Sequence, residues 1–247
     1  MLETLLAFAL VLTRISGFFV ILPVFGWRAI PARIKVAATV LLSFFFCFIA
    51  PVQIDVTQVS PVKAVLLLAS EATYGLALGL IVTLLFAVVK LSGQIIERQM
   101  GLTMANVLDP MTGENARPLG SLLEMIFILL FLGANGHHLF LLILSKSYTA
   151  FPPGTVPTIA ILTEGVITAS SVMLIAGLRL AAPMLAAFMV LMVALALLAR
   201  LVPEMNILFI SMPVRIGLGL MMAGMFLPFV NGYITEMANW MAKVLPL

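Results

Sequence analysis

VKAVLLLASEATYGLALGLIVTLLFAVVK, residues 62–90, is the stretch that decides what kind of molecule this is. Between Lys63 and Lys90 its one charged side chain is Glu71. A helix from Val62 to Val89 would be about 42 Å long at about 1.5 Å per residue. That is longer than the roughly 30 Å hydrocarbon core of a bilayer requires. The run therefore predicts a tilted or broken helix in an apolar setting rather than a simple span. Gly75 and Gly79 form a G-x-x-x-G step within it, a spacing that lets two helix backbones approach closely.

Outward from this run the chain has the same character. It has 247 residues, of which 63% are hydrophobic and 9% charged, with a mean hydropathy of +1.23. Soluble domains carry about 25% charged residues, so lipid or a protein assembly must cover much of this surface. About six apolar stretches can be read, near 4–22, 34–50, 62–90, 121–145, 165–199 and 206–230, each set against the length a span needs. The expected fold is all-α and membrane-associated. A net charge of +3 with no basic run gives no support to nucleic-acid binding. The lone Cys47, in FFFCFIA, is expected to be a small buried hydrophobe. No basic segment precedes the first apolar run, so that run is expected to be retained rather than cleaved as a signal.

Prolines punctuate these runs at Pro23, Pro31, Pro183, Pro203, Pro213 and Pro228. Each removes a backbone donor and tends to kink or end a helix, and in lipid the freed carbonyls need protein or water partners. Short, kinked helical hairpins packed against other subunits are the expected result; ordinary spans with proline kinks are the plainer alternative. Basic residues gather in alternate connections, with Arg28, Arg33 and Lys35, then Lys90, Arg98 and Arg117, then Arg200. The positive-inside rule puts those connections in the cytoplasm and both termini outside. IPARI at 30–34 and MPVRI at 212–216 echo one another, each with a proline two residues before an arginine.

Nothing in the sequence points to catalysis or to a bound cofactor. No H-E-x-x-H, C-x-x-C, G-x-S-x-G or P-loop spacing occurs. His137 and His138 are adjacent, so on a helix they diverge by about 100° and are expected to cap or line an interface rather than share a metal. The charges inside apolar runs say more: Arg14, Glu71, Glu124, Arg179 and Arg215. Such groups face a bundle interior, a partner or water. They would suit an ion path in a six-helix, proton-coupled secondary transporter. They would equally suit structural pairing, which fits Arg14 and Arg215, read as lying near segment ends. One polar stretch, MGLTMANVLDPMTGENARPLGS at 100–121, interrupts the apolar chain. Asp109, Pro110 and Gly113 make it turn-rich, and no common helical face joins Asp109, Glu114 and Arg117.

Five segments in order carry a family likeness: RISGFFVILPVFGWRAIPARIK (14–35), EATYGLALG (71–79), SGQIIERQMGLTMANVLDP (92–110), FLGANGHHLFLLIL (131–144) and RLVPEMNILFISMPVRIGLGL (200–220). Together they resemble the FliR family of flagellar biosynthesis and its virulence type III secretion counterparts, across essentially the whole chain. One departure is Glu204, where the family often has glutamine. The resemblance implies a non-enzymatic subunit of the flagellar export gate in the bacterial inner membrane and basal body. It implies kinked hairpins that complete a helical ring with FliP-like and FliQ-like subunits, residues 1–150 being FliP-like and 151–247 FliQ-like. A FlhB-like switch protein, membrane lipid and unfolded flagellar substrates are the other implied partners. The loop after the G-L…D-P motif is implied to plug the passage, which by position gives Val107, Leu108, Asp109, Pro110, Met111 and Gly113.

Overall fold

The computed structural model describes residues 2–23, 30–49, 60–102, 118–155, 158–204 and 207–244. The elements among them are all α-helices: α1 (Leu2–Ile21), α2 (Ala32–Ile49), α3 (Pro61–Met100), α4 (Pro118–Gly133), α5 (His137–Ala150), α6 (Ile159–Leu201) and α7 (Ile207–Val244).

Local chemistry sets most of the boundaries. Ser60 caps α3, its hydroxyl accepting from the Lys63 N–H at 3.3 Å, and Pro61 takes the first helical position, where a missing donor costs nothing. At the other end Gly101 has φ +78°. The Gly101 N–H bonds to the Arg98 carbonyl and that of Leu102 to the Glu97 carbonyl, a Schellman closure. Helix α1 stops two residues short of Pro23, and α6 stops two short of Pro203. Between α4 and α5 the chain bends by 73° through Gly133–Gly136, with Asn135 in the left-handed region at φ +59°.

Two expectations about the runs are corrected. The apolar stretch 121–145 is two helices, because Gly-Ala-Asn-Gly supplies the freedom and the left-handed residue that end α4. Conversely, α3 is 40 residues and α6 is 43, the latter continuous through Pro183, so these elements are long rather than short. Helices in apolar surroundings tolerate proline when neighbouring groups re-satisfy the freed carbonyl. Among the described residues three helices, α1, α3 and α6, are long and apolar enough to cross a membrane, or four if the bent pair α4–α5 counts as one, against the six segments counted from hydropathy.

The described residues fall into two compact units. The first holds α1, α2, α3 as far as Phe86, α5 and the start of α6 as far as Val172. Its core is built from Leu10, Val11, Phe18, Leu78, Phe86 and Phe140, with Phe140 6.4 Å from Phe18 and 6.1 Å from Phe86 between ring centroids. The second holds α3 from Ala87, α4, α6 from Met173 and α7 as far as Glu236. Phe127, Phe131, Phe188, Met184 and Tyr233 are buried there. Large apolar side chains also face outward, among them Phe44, Phe45 and Phe48 of α2 and Met189, Val190 and Val193 of α6. Contiguous exposed apolar faces of this kind mark a lipid or subunit environment.

Candidate functional site

In the first unit, α1 and α3 touch along glycine. A β-carbon on Gly75 would collide with the Arg14 carbonyl oxygen, and one on Gly79 would lie 2.8 Å from that of Phe18. From the α1 side, a β-carbon on Gly17 would stand 2.9 Å from the Ala72 carbonyl oxygen. This approach brings Arg14 and Glu71 together well inside both helices. Arg14 Nε donates to Glu71 Oε2 at 2.6 Å and Nη2 to Oε1 at 3.0 Å, a side-on fork, with both residues almost wholly buried. Arg14 Nη1 donates to the Ser147 carbonyl at 3.1 Å. Glu71 Oε1 also accepts from the Gly154 N–H at 2.9 Å, and Gly154 sits at φ +88°. The guanidinium lies over the rings of Tyr74 and Tyr148, at 4.7 and 4.4 Å from their centroids. Buried arginines are stable when the charge is matched and the remaining donors are used. Here α1, α3, α5 and the turn after α5 all contribute.

In the second unit the buried carboxylate is Glu97, which is 1% exposed. Its Oε1 accepts from the N–H groups of both Leu119 and Gly120. Helix α4 begins with Pro118, preceded by Arg117 rather than a Ser, Thr, Asn or Asp cap. A side chain from α3 therefore satisfies the orphan donors, and its negative charge suits the positive end of the helix. Packing reinforces the joint: a β-carbon on Gly93 would stand 2.8 Å from the Gly120 Cα. Glu97 thus holds two places at once. Its backbone carbonyl closes α3 at Leu102 and its side chain opens α4. Residues 103–117, which contain Val107, Leu108, Asp109, Pro110, Met111 and Gly113, lie outside the described residues; the points where the chain leaves and returns are described, and both are on Glu97.

The other charges singled out in the sequence fall apart from one another. Glu124 pairs with Lys90 at 2.9 Å, half-buried. Arg179 and Glu236 stand 3.8 Å apart and largely exposed. Arg215 meets no carboxylate among the described residues. Its Nη2 lies 3.2 Å from the Met192 sulfur, and its Nε is buried without an acceptor.

Two minor readings are adjusted. Cys47 is half-buried rather than buried. The rings of His137 and His138, at the first two positions of α5, lie 4.3 Å apart rather than splayed. Among the described residues no group of three or more His, Cys, Asp or Glu is placed to hold a metal ion. Glu97, Ser147 and Gly154 were not singled out from sequence. Glu97 sits in polar SGQIIERQM, where a carboxylate looks solvated; the uncapped Pro118 start is the signal that points to a distant cap.

A profile of the family described as bacterial export proteins, family 1, matches residues 5–241. The flagellar biosynthetic protein FliR of Bacillus subtilis is 33% identical over 87% of this chain and 84% of its own length. That of Pectobacterium carotovorum is 30% identical over 94% of this chain and 90% of its own. The Yop proteins translocation protein T of Yersinia pestis is 28% identical over 85% of this chain and 82% of its own.

Proposed function

The chain belongs to family 1 of the bacterial export proteins, a membrane-embedded component of the flagellar and type III protein export apparatus, and from that premise we propose that it helps to form and to close the passage through which unfolded flagellar proteins are exported. It acts as a structural subunit without a catalytic role, in the inner membrane at the flagellar basal body. Its partners are FliP-like and FliQ-like subunits, with which its FliP-like part (1–150) and FliQ-like part (151–247) complete a helical ring, and a FlhB-like switch protein on the cytoplasmic side.

One observation carries the closing role: Glu97 secures both ends of the polar segment 103–117. With both flanks held on one buried carboxylate, α3 and α4 stay joined whatever the intervening segment contacts. By their position after the G-L…D-P motif, Val107, Leu108, Asp109, Pro110, Met111 and Gly113 are the residues that plug the passage at rest. The transporter alternative loses support at Glu71, which is forked onto the buried Arg14.

Deleting residues 108–115 tests the closing role. With the rest of the apparatus in place, the closed gate should leak small ions, read as membrane conductance or loss of ion gradients. Unchanged conductance would sink it. Native mass spectrometry of the complex purified from its own operon tests the assembly: one chain with several copies of two small hydrophobic partners supports it, and recovery of the chain alone overturns it.

A further inference from the structure

We propose that Arg215 is an intersubunit docking point that receives a carboxylate from an apolar helix of a neighbouring subunit. This rests on the reading of the chain as one subunit of a larger assembly. Arg215 lies in the apolar stretch Phe209–Met225 of α7, where an arginine needs a counter-charge or water. Among the described residues no carboxylate reaches it, and its Nε is buried and unbonded. Arg14 shows what this edge of a guanidinium takes. There the Nε and Nη2 donors grip both oxygens of one carboxylate. On Arg215 the same two donors meet nothing and a thioether at 3.2 Å, a far weaker acceptor.

The surroundings favour a protein over a lipid headgroup. Beside Met192, which touches Arg215, Met189 one turn earlier on α6 is exposed, and so is Met212 one turn before Arg215 on α7. Methionine and arginine are enriched in the cores of protein interfaces, and methionine adapts its shape to a partner. A partner helix carrying one Asp or Glu among small apolar residues would cover this patch and displace the Met192 thioether, placing its carboxylate against the guanidinium.

The test uses the whole apparatus, expressed from its operon and captured through a tag on this chain, with partner recovery scored per copy of the chain. Arg215→Met keeps the apolar packing and should lower partner recovery at least about tenfold, as loss of one half of a desolvated charge pair does. Arg215→Lys, a cation without the fork, should fall between. Suppressors of Arg215→Glu should replace an acidic residue by a basic one in a partner subunit. Wild-type recovery for Arg215→Met overturns the proposal, and so does loss of a bound anionic phospholipid with every subunit retained, which would assign the site to a lipid phosphate. If the wild-type chain itself is recovered without partners, the assembly reading fails first and takes this inference with it.

Discussion

Among the arginines in the apolar helices of this protein, Arg14 and Arg215 are treated by the chain in opposite ways. Arg14 in the first unit is fully buried, forked onto Glu71, bonded to Ser147 and flanked by two tyrosine rings. Arg215 in the second is half-exposed, with a buried Nε that has no acceptor. A charge satisfied entirely from within fixes how a chain packs on itself. One left unsatisfied within its own chain is stable only when something outside completes it. By this criterion the charge at the centre of the first unit is closed within its own chain, while the second unit holds at least one contact open.

The comparison breaks most readily at Glu71. Glu71→Ala would put Arg14 into the condition of Arg215, but fully buried and with no route to an outside partner. Removing one half of a buried pair destabilises by about 3–5 kcal/mol, and the Gly154 N–H would lose its acceptor as well. The expected outcome is a sharp fall in the amount of chain in the membrane and in thermal stability in detergent. The double variant Arg14→Met with Glu71→Leu should recover most of that loss, since an apolar pair of similar volume is tolerated where a lone charge is not. A double variant as unstable as Glu71→Ala would mean that the tyrosine and backbone contacts, not the ion pair, hold this centre.

Glu97 sharpens the comparison, being the second unit's own internally satisfied charge. Its partners are two backbone donors rather than a cation, so a neutral acceptor can replace part of it. Glu97→Gln should weaken the α3–α4 joint by about 0.5–1 kcal/mol, and Glu97→Ala by about 1–2 kcal/mol, the range for loss of a helix cap and its charge. Protease cleavage within 103–117 reports the joint, with Ala cut faster than Gln and Gln faster than wild type. Equal rates for all three would show that the Gly93–Gly120 packing alone secures it.

Particular residues show where the sequence was legible. The helical class, the buried character of Arg14 and Glu71, and the close-packing step at Gly75 and Gly79 could all be read locally, because each departs visibly from its apolar surroundings. That Arg14 and Glu71 meet across 57 positions could not, since spacing carries no information about which helices pack. Glu97 escaped for the opposite reason: it is a polar residue in a polar stretch, and only the missing cap at Pro118 betrays it. Pro183 misled because its effect depends on what satisfies the Arg179 carbonyl, a tertiary matter, while Gly133 to Gly136 was under-read inside an apolar run.

The smallest effect is expected at the Lys90–Glu124 pair of the second unit. Its 2.9 Å separation equals that of strong ion pairs, yet the side chains are 44% and 25% exposed, so water screens the charges and gains little from their separation. Pairs of this kind contribute at most about 1 kcal/mol. Lys90→Met should therefore leave stability within that limit, and Glu124→Gln likewise, as measured by thermal unfolding in detergent. Distance alone would rank this pair beside Arg14–Glu71; burial separates them. A loss at Lys90→Met approaching that at Glu71→Ala would show that the assembled apparatus dries this pair, and that the second unit, like the first, closes over its charges once its neighbours are in place.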